Sequence, residues 1–113
     1  MGIVPYGGRM ELQQVNTAAL VELVNQHLAN NGVEFVSASE MPVGPFGTSV
    51  FGTIKGYPVR LDFVINPAND RRAVHLFDIR TKDLLAERLM APTFDEAIDD
   101  YPWAATIAAL VLT

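Results

Sequence analysis

The segment from Pro58 to Asn66 constrains the fold more than any other part of the chain. Its apolar side chains stand at every second position, and the residues between them are mostly polar. A period of two matches a strand that buries one face. Pro58 suits the first position of such a strand, because a missing N–H there removes no inner ladder bond. The segment predicts a strand whose buried face is formed by Val59, Leu61, Phe63 and Ile65.

Short β-prone segments on both sides of this strand predict an antiparallel meander. Gly56 and the segment 66–70 have the composition of tight turns, which join neighbouring strands of such a sheet. The density of Pro and Gly between Ser39 and Gly47 predicts a loop. The remaining strands are expected over Val33–Ala38, Ser49–Lys55 and Ala73–Arg80.

The segment from Leu84 to Met90 is compatible with two structures. One is a strand that follows a hairpin turn at 81–83, and the other is a short helix. A helix here would have barely two turns before Ala91-Pro92, and short helices are marginal in isolation. The strand is therefore the favoured interpretation.

The first helix has a clear start and stop. Asn16 is a good N-cap, and apolar residues then recur at helical spacing through Leu28. Gly32 supplies the left-handed residue that commonly follows the last turn. An alternative start near Met10 stays open, because Leu12 and Val15 continue the apolar stripe backwards.

Two helical segments are expected at the C-terminal end. Thr93 and Glu96 have the spacing of a capping box, which predicts a helix from Phe94 to about Asp100. Pro102 fits the first turn of a second helix, Trp103–Leu112, in which only Thr106 is polar. A helix that is apolar all round must be covered on several sides. We therefore expect self-association through this C-terminal helix.

These elements predict one α+β domain over residues 1–113, a normal size for a single domain. We expect an N-terminal helix, a mainly antiparallel meander sheet of four to five strands and a C-terminal helix. Packing both helices on one face of the sheet is the economical arrangement. Residues 1–10, with Pro5 and Gly7-Gly8, are expected to form an arm.

Composition removes several chemistries. The chain has no cysteine, so thiol catalysis, disulfides and Cys-ligated metals are excluded. No phosphate-binding glycine motif occurs, and His27 and His75 are not spaced as a metal-ligand set. A metal-dependent hydrolase around Asp62, Asp78 and His75 is the least favoured hypothesis, because cross-strand salt bridges of the two aspartates with Arg60 and Arg80 explain them more simply. We predict no catalytic residue, no metal and no cofactor.

The charge pattern favours a protein partner. The net charge is −5, from 13 acidic and 8 basic residues, which suits nucleic acid poorly. A nucleic-acid-associated regulator that uses Arg71 and Arg72, which are expected at the tip of a turn between strands, remains the alternative. No run of apolar residues is long enough to span a bilayer, and we expect a cytoplasmic protein. Its expected role is that of an accessory, regulatory or assembly protein, of the kind that a phage or mobile element encodes. The expected partner-binding residues are Met41, Phe46, Arg71, Arg72, Asp95, Asp99, Asp100, Tyr101 and Trp103.

Overall fold

The computed structural model describes residues 16–42, 46–86 and 90–112. Within these ranges the chain forms three helices and a five-stranded antiparallel sheet in meander order, which confirms the predicted α+β class. The helices are α1 (Thr17–Ala29), α2 (Phe94–Asp100) and α3 (Trp103–Leu112). The strands are β1 (Phe35–Pro42), β2 (Gly47–Ile54), β3 (Tyr57–Asn66), β4 (Arg71–Asp78) and β5 (Asp83–Leu84).

Helix α1 begins and ends where its capping residues predict. The Asn16 Oδ1 atom accepts a hydrogen bond from the Ala19 N–H at 3.2 Å. At the other end, Gly32 has a φ of 73°, the left-handed conformation expected there. The alternative start near Met10 and the predicted N-terminal arm lie outside the described residues.

All three helices pack on one face of the sheet. The alternating apolar side chains of β3 are buried on this face, as the period of two predicts. Val59, Leu61 and Phe63 join a single core with side chains of all three helices. The helical members of this core include Leu28, Ile98 and Leu110. The opposite face carries Ser49, Arg60, Asp62 and His75, and we call it the polar face. The packing leaves the chemistry-bearing side chains of β2, β3 and β4 together on this second face.

The predicted loop from Ser39 to Gly47 is wrong for its first half. Strand β1 continues through Ser39 to Pro42, and Gly47 begins β2; 43–45 lie outside the described residues. The proline is tolerated because an edge strand has one side on which no N–H is required. Arg71 and Arg72 likewise lie in β4, where they pair with Asn66 and Ile65, and not at the tip of a turn.

Strand β5 is much shorter than the predicted Leu84–Met90. Only Asp83 and Leu84 pair with β4, and 87–89 lie outside the described residues. Beyond this pair, the Leu76 N–H of β4 donates to the Tyr101 hydroxyl at 2.9 Å. The Leu85 N–H still donates to the Leu76 carbonyl at 3.0 Å, so the hydroxyl replaces only the carbonyl acceptor that a longer β5 would offer the Leu76 N–H. Ala91 returns to β4 as an isolated bridge with Arg72.

The two C-terminal helices follow their predicted bounds. The Thr93 hydroxyl accepts a hydrogen bond from the Glu96 N–H at 3.1 Å, as a capping residue should. Trp103 opens α3, and its indole N–H donates to the Ile98 carbonyl at 2.8 Å, which fixes α3 against α2. None of the helices in the described ranges is long and apolar enough to cross a membrane.

Candidate functional site

A row of polar side chains crosses the centre of the polar face. The strand register places Ser49 beside Asp62 and Asp62 beside His75. The Ser49 hydroxyl donates to Asp62 Oδ1 at 2.7 Å, and His75 Nε2 lies 3.0 Å from Asp62 Oδ2. The Arg60 Nε and Nη2 atoms donate to the same carboxylate at 3.0 to 3.2 Å. We call these four residues the Asp62 cluster.

Hydrogen bonding keeps the Asp62 carboxylate ionised although it is buried. Burial by itself raises the pKa of this carboxyl, because a charge is poorly solvated away from water. Hydrogen bonds from His75, Ser49 and Arg60 act in the opposite direction and prevail, so the pKa of Asp62 lies below its usual value of 3.8. Asp62 is therefore an anion at neutral pH.

The His75 ring is satisfied on one side only. Its side chain is 8% exposed, and its Nδ1 atom has no hydrogen-bond partner among the described residues. A buried polar atom without a partner costs on the order of 1–3 kcal/mol, so such atoms are uncommon. The imidazole packs edge-on against Phe77, with ring centroids 5.1 Å apart.

The order of the row does not match a nucleophile relay. Nucleophilic catalysis by serine needs a base that accepts the hydroxyl proton. Here the Ser49 hydroxyl donates to the Asp62 carboxylate, and His75 lies on the far side of that carboxylate. The cluster is arranged as a structural ion pair with two further hydrogen bonds.

Asp78 does not converge with Asp62, contrary to the arrangement that the hydrolase reading requires. Asp78 pairs with Val59 and lies on the helix side of the sheet, whereas Asp62 and His75 lie on the polar face. Arg80 donates two side-chain hydrogen bonds to Asp78, at 2.8 and 3.1 Å, and one to the Leu110 carbonyl of α3. The expected salt bridges form, but each joins residues two apart along the chain and not across strands.

Strand β1 forms an exposed edge of the sheet. Within the described ranges it pairs with β2 alone, and every residue from Val36 to Pro42 is exposed. Its large apolar side chains Val36 and Met41 are 56% and 52% exposed. Both lie on the polar face, opposite Thr53 and Ser49 of β2. Long exposed edge strands are templates for pairing with another chain.

One residue closes the outer edge of β1 at its beginning. The Asn25 side chain of α1 accepts from the Phe35 N–H at 2.8 Å and donates to the Phe35 carbonyl at 3.1 Å. It thereby replaces the two hydrogen bonds that a neighbouring strand would make. Beyond this point a groove of about 430 Å³ runs between β1 and α1, lined by Thr17, Ala18 and Val21 on one side and residues 37–40 on the other.

The opposite edge of the sheet is covered at several points. Strand β5, the Tyr101 hydroxyl and the Ala91 bridge all bond to β4. Edge strands of stable monomers are usually protected in such ways. Among the described residues, therefore, the β1 edge is the uncovered side of the sheet.

The predicted partner-binding residues are spread over the molecule. Met41 belongs to the β1 edge, and Phe46 is half-buried directly before β2. Arg71 is exposed, but Arg72 is held by the carbonyls of Asp70 and Pro92 and by the Asp70 carboxylate. The predicted Arg71/Arg72 pair thus does not present two unengaged guanidinium groups.

The acidic and the aromatic residues that were predicted to bind a partner differ in burial. Asp95, Asp99 and Asp100 are exposed on α2, whereas Tyr101 and Trp103 lie in the core, 3% and 5% exposed. The two aromatic side chains therefore offer no surface to a partner in this structure. His27, half-buried on α1, lies 3.7 Å from Asp99 and stacks against Trp103.

The sequence contained a signal for the Asp62 cluster that composition and motifs do not show. The tight turn at Lys55-Gly56 fixes which residues of β2 and β3 face each other, and the turn at 67–70 does the same for β3 and β4. Counting back from both turns brings Ser49, Asp62 and His75 into one row.

A search of protein-family models, curated proteins and solved structures found no significant match to this chain.

Proposed function

We propose that the protein is a non-enzymatic interaction module that binds an extended segment of a partner protein by strand addition at the β1 edge. The observation that carries the proposal is the exposed outer edge of β1 from Val36 to Pro42, beside a sheet whose other edge is covered. In strand addition, main-chain hydrogen bonds supply affinity and side-chain pockets supply selectivity.

The backbone of β1 offers hydrogen bonds to such a segment. The Phe35 N–H and carbonyl point away from β2, toward Asn25. Along a strand, the backbone N–H and C=O groups of successive residues point alternately to one side and the other. Those of Ser37 therefore also point away from β2, whereas those of Val36 point toward its partner Thr53 in β2. A strand from the partner would therefore pair with β1 from Ser37 onward, because Asn25 already bonds to the outward groups of Phe35.

The side chains around this edge favour a partner segment that is partly apolar. Val36 and Met41 supply exposed apolar surface on one side of the edge. The α1 groove on the other side is lined by small polar and apolar residues, and Glu40 is the one charged side chain among its described lining residues. Burying one aliphatic side chain contributes on the order of 1.5 kcal/mol, about a tenfold change in affinity.

Selection from a library of random linear peptides, followed by calorimetry and amide exchange, tests this proposal. Selected peptides should slow exchange of the Ser37 amide and leave the Val36 amide, already paired with β2, unchanged. Val36→Lys and Met41→Lys should each weaken binding about tenfold, because each removes one buried aliphatic contact. Leu84→Lys is the matched control, since Leu84 is an exposed apolar residue at the opposite edge of the sheet.

Three results would refute strand addition at β1. One is a library from which no binding peptide emerges. Another is peptide binding that protects amides elsewhere and leaves Ser37 unchanged. The third is a loss of affinity in Leu84→Lys equal to that in Met41→Lys.

Self-association through α3 is a second proposal, supported by the end of that helix. Leu112 is 87% exposed and Val111 40%, and both follow the buried Leu110. Covering two aliphatic side chains favours a second copy at this end, by on the order of 1.5–3 kcal/mol for each side chain. Light scattering coupled to size exclusion should show a dimer at micromolar concentration that Leu112→Lys shifts to monomer. A clean monomer in the unmodified protein contradicts the proposal.

A further inference from the structure

A small pocket opens on the polar face beside the Asp62 cluster. It has a volume of about 270 Å³ and lies where β2, β3 and β4 approach the β4–β5 turn. Aromatic rings of β2 and β4 flank a central arginine in one cross-strand row. The lining residues are Phe51, Arg60, Phe77, Asp78, Ile79 and Lys82.

The arginine of this pocket is held in place before any ligand arrives. The Arg60 Nε and Nη2 atoms bond to the Asp62 carboxylate, and the guanidinium carbon lies 4.1 Å from the centre of the Phe77 ring. Its Nη1 atom makes no hydrogen bond within the described ranges. A planar cation fixed by a carboxylate and an aromatic ring is well suited to orient a ligand anion.

Two acidic side chains at the pocket are each paired with an arginine. Asp62 is matched by Arg60 and Asp78 by Arg80, as their ion pairs show. Lys82 makes no ion pair with any described residue. Asp83 follows Lys82 in the chain but does not line the pocket, so the Lys82 ammonium can meet a ligand anion there.

We propose that this pocket binds a small aromatic carboxylate. The ring would lie against Phe51 and Phe77, and the carboxylate would accept hydrogen bonds from Lys82 and from the remaining Arg60 Nη1. Pockets for drug-sized ligands measure about 300–1,000 Å³, so one of this size fits a single ring and not a larger molecule. The proposal does not depend on strand addition at β1, because it uses other residues of the sheet.

Titration with benzoate, followed by amide NMR, tests the pocket. Benzoate should shift the resonances of Phe51, Phe77 and Lys82 in a saturable way. Benzamide, which has the same shape and no charge, should bind at least about tenfold more weakly, since charge-assisted hydrogen bonds are roughly twice as strong as neutral ones. Cyclohexanecarboxylate should also bind more weakly, because it lacks a flat ring.

A pair of lysine variants separates this pocket from general attraction. Lys82→Gln should weaken benzoate binding about tenfold, the loss of one charge-assisted contact. Lys55→Gln is the matched control: Lys55 also occupies a turn with a positive φ, 54° against 63° for Lys82, but does not line the pocket. Three results would overturn the proposal: no saturable shifts near Phe77, equal binding of benzamide, or equal losses in the two lysine variants.

Discussion

The Nε2 atom of His75 lies 3.0 Å from the Oδ2 atom of Asp62, and each side chain is only 8% exposed. The two residues meet because β3 and β4 pair them directly. A buried ion pair or hydrogen-bonded pair does little for stability compared with an apolar core, but removing one partner is costly. The contact therefore makes the polar face sensitive to single substitutions.

Asp62→Asn should lower the free energy of unfolding by about 3 kcal/mol, because it leaves Arg60 and His75 beside a neutral amide. Urea denaturation measures the change. Asp70→Asn is the control, since the Asp70 carboxylate is 68% exposed where it meets Arg72, and such pairs contribute at most about 1 kcal/mol. Equal losses in the two variants would show that the cluster does not depend on its carboxylate.

Acid should destabilise the protein through the same carboxylate. The pKa of Asp62 is below 3.8 in the folded state, so the folded protein holds this proton less readily than the unfolded chain. The stabilisation is present above the unfolded value of 3.8 and is lost as pH falls through the folded pKa. The Arg80 hydrogen bonds lower the pKa of Asp78 in the same direction. Below pH 3.8, the free energy of unfolding should fall less steeply in Asp62→Asn than in the unmodified protein; identical slopes would contradict this.

Local signals predicted the helices well. Asn16 and Thr93 cap their helices through the side-chain bonds that their types predict, and Gly32 follows α1 in the left-handed conformation. Such signals act within a few residues, so one segment of sequence is enough to recognise them. The alternation in β3 likewise reported which of its side chains reach the core.

The strands at the sheet edges were harder to predict because their ends depend on distant residues. Strand β1 runs on to Pro42 since it needs neighbours on one side only, and β5 is short where Tyr101 bonds to Leu76. The side of the sheet on which Asp78 lies could not be predicted from its own segment either. That side depends on the register of β4 with β3, and the register follows from the turn between them.

Tyr101→Phe should lower the free energy of unfolding by about 1–3 kcal/mol, because it leaves the Leu76 N–H buried without an acceptor. Amide exchange at Leu76 should accelerate most. Tyr57→Phe removes a hydroxyl from a half-buried ring that packs under Arg80, and it serves as the control. An unchanged exchange rate at Leu76 would show that the hydroxyl contact is dispensable.

Alkaline solution should destabilise the protein through Tyr101. Burial raises the pKa of this hydroxyl to about 12, although its hydrogen bond with the Leu76 N–H acts the other way. Because the folded pKa exceeds the unfolded value of 10.0, the stabilisation is complete below pH 10.0 and is lost as pH rises through about 12. The decline should be shallower in Tyr101→Phe, and equal declines would assign the alkaline sensitivity to other groups.

Gly52→Ala should displace β1 from the sheet. A methyl group at Gly52 would overlap the Val36 carbonyl oxygen and lie 2.9 Å from carbons of the Phe35 ring, so the backbone or a core ring must move. We expect a loss of about 3 kcal/mol or more in the free energy of unfolding, as overpacking at a rigid contact produces. Gly56→Ala is the matched control, because its φ of 81° strains any side chain but nothing lies within 4 Å. That variant should lose only about 1–2 kcal/mol. If calorimetric melting shows Gly56→Ala to be the less stable of the two, the close approach between β1 and β2 is not what requires glycine at position 52.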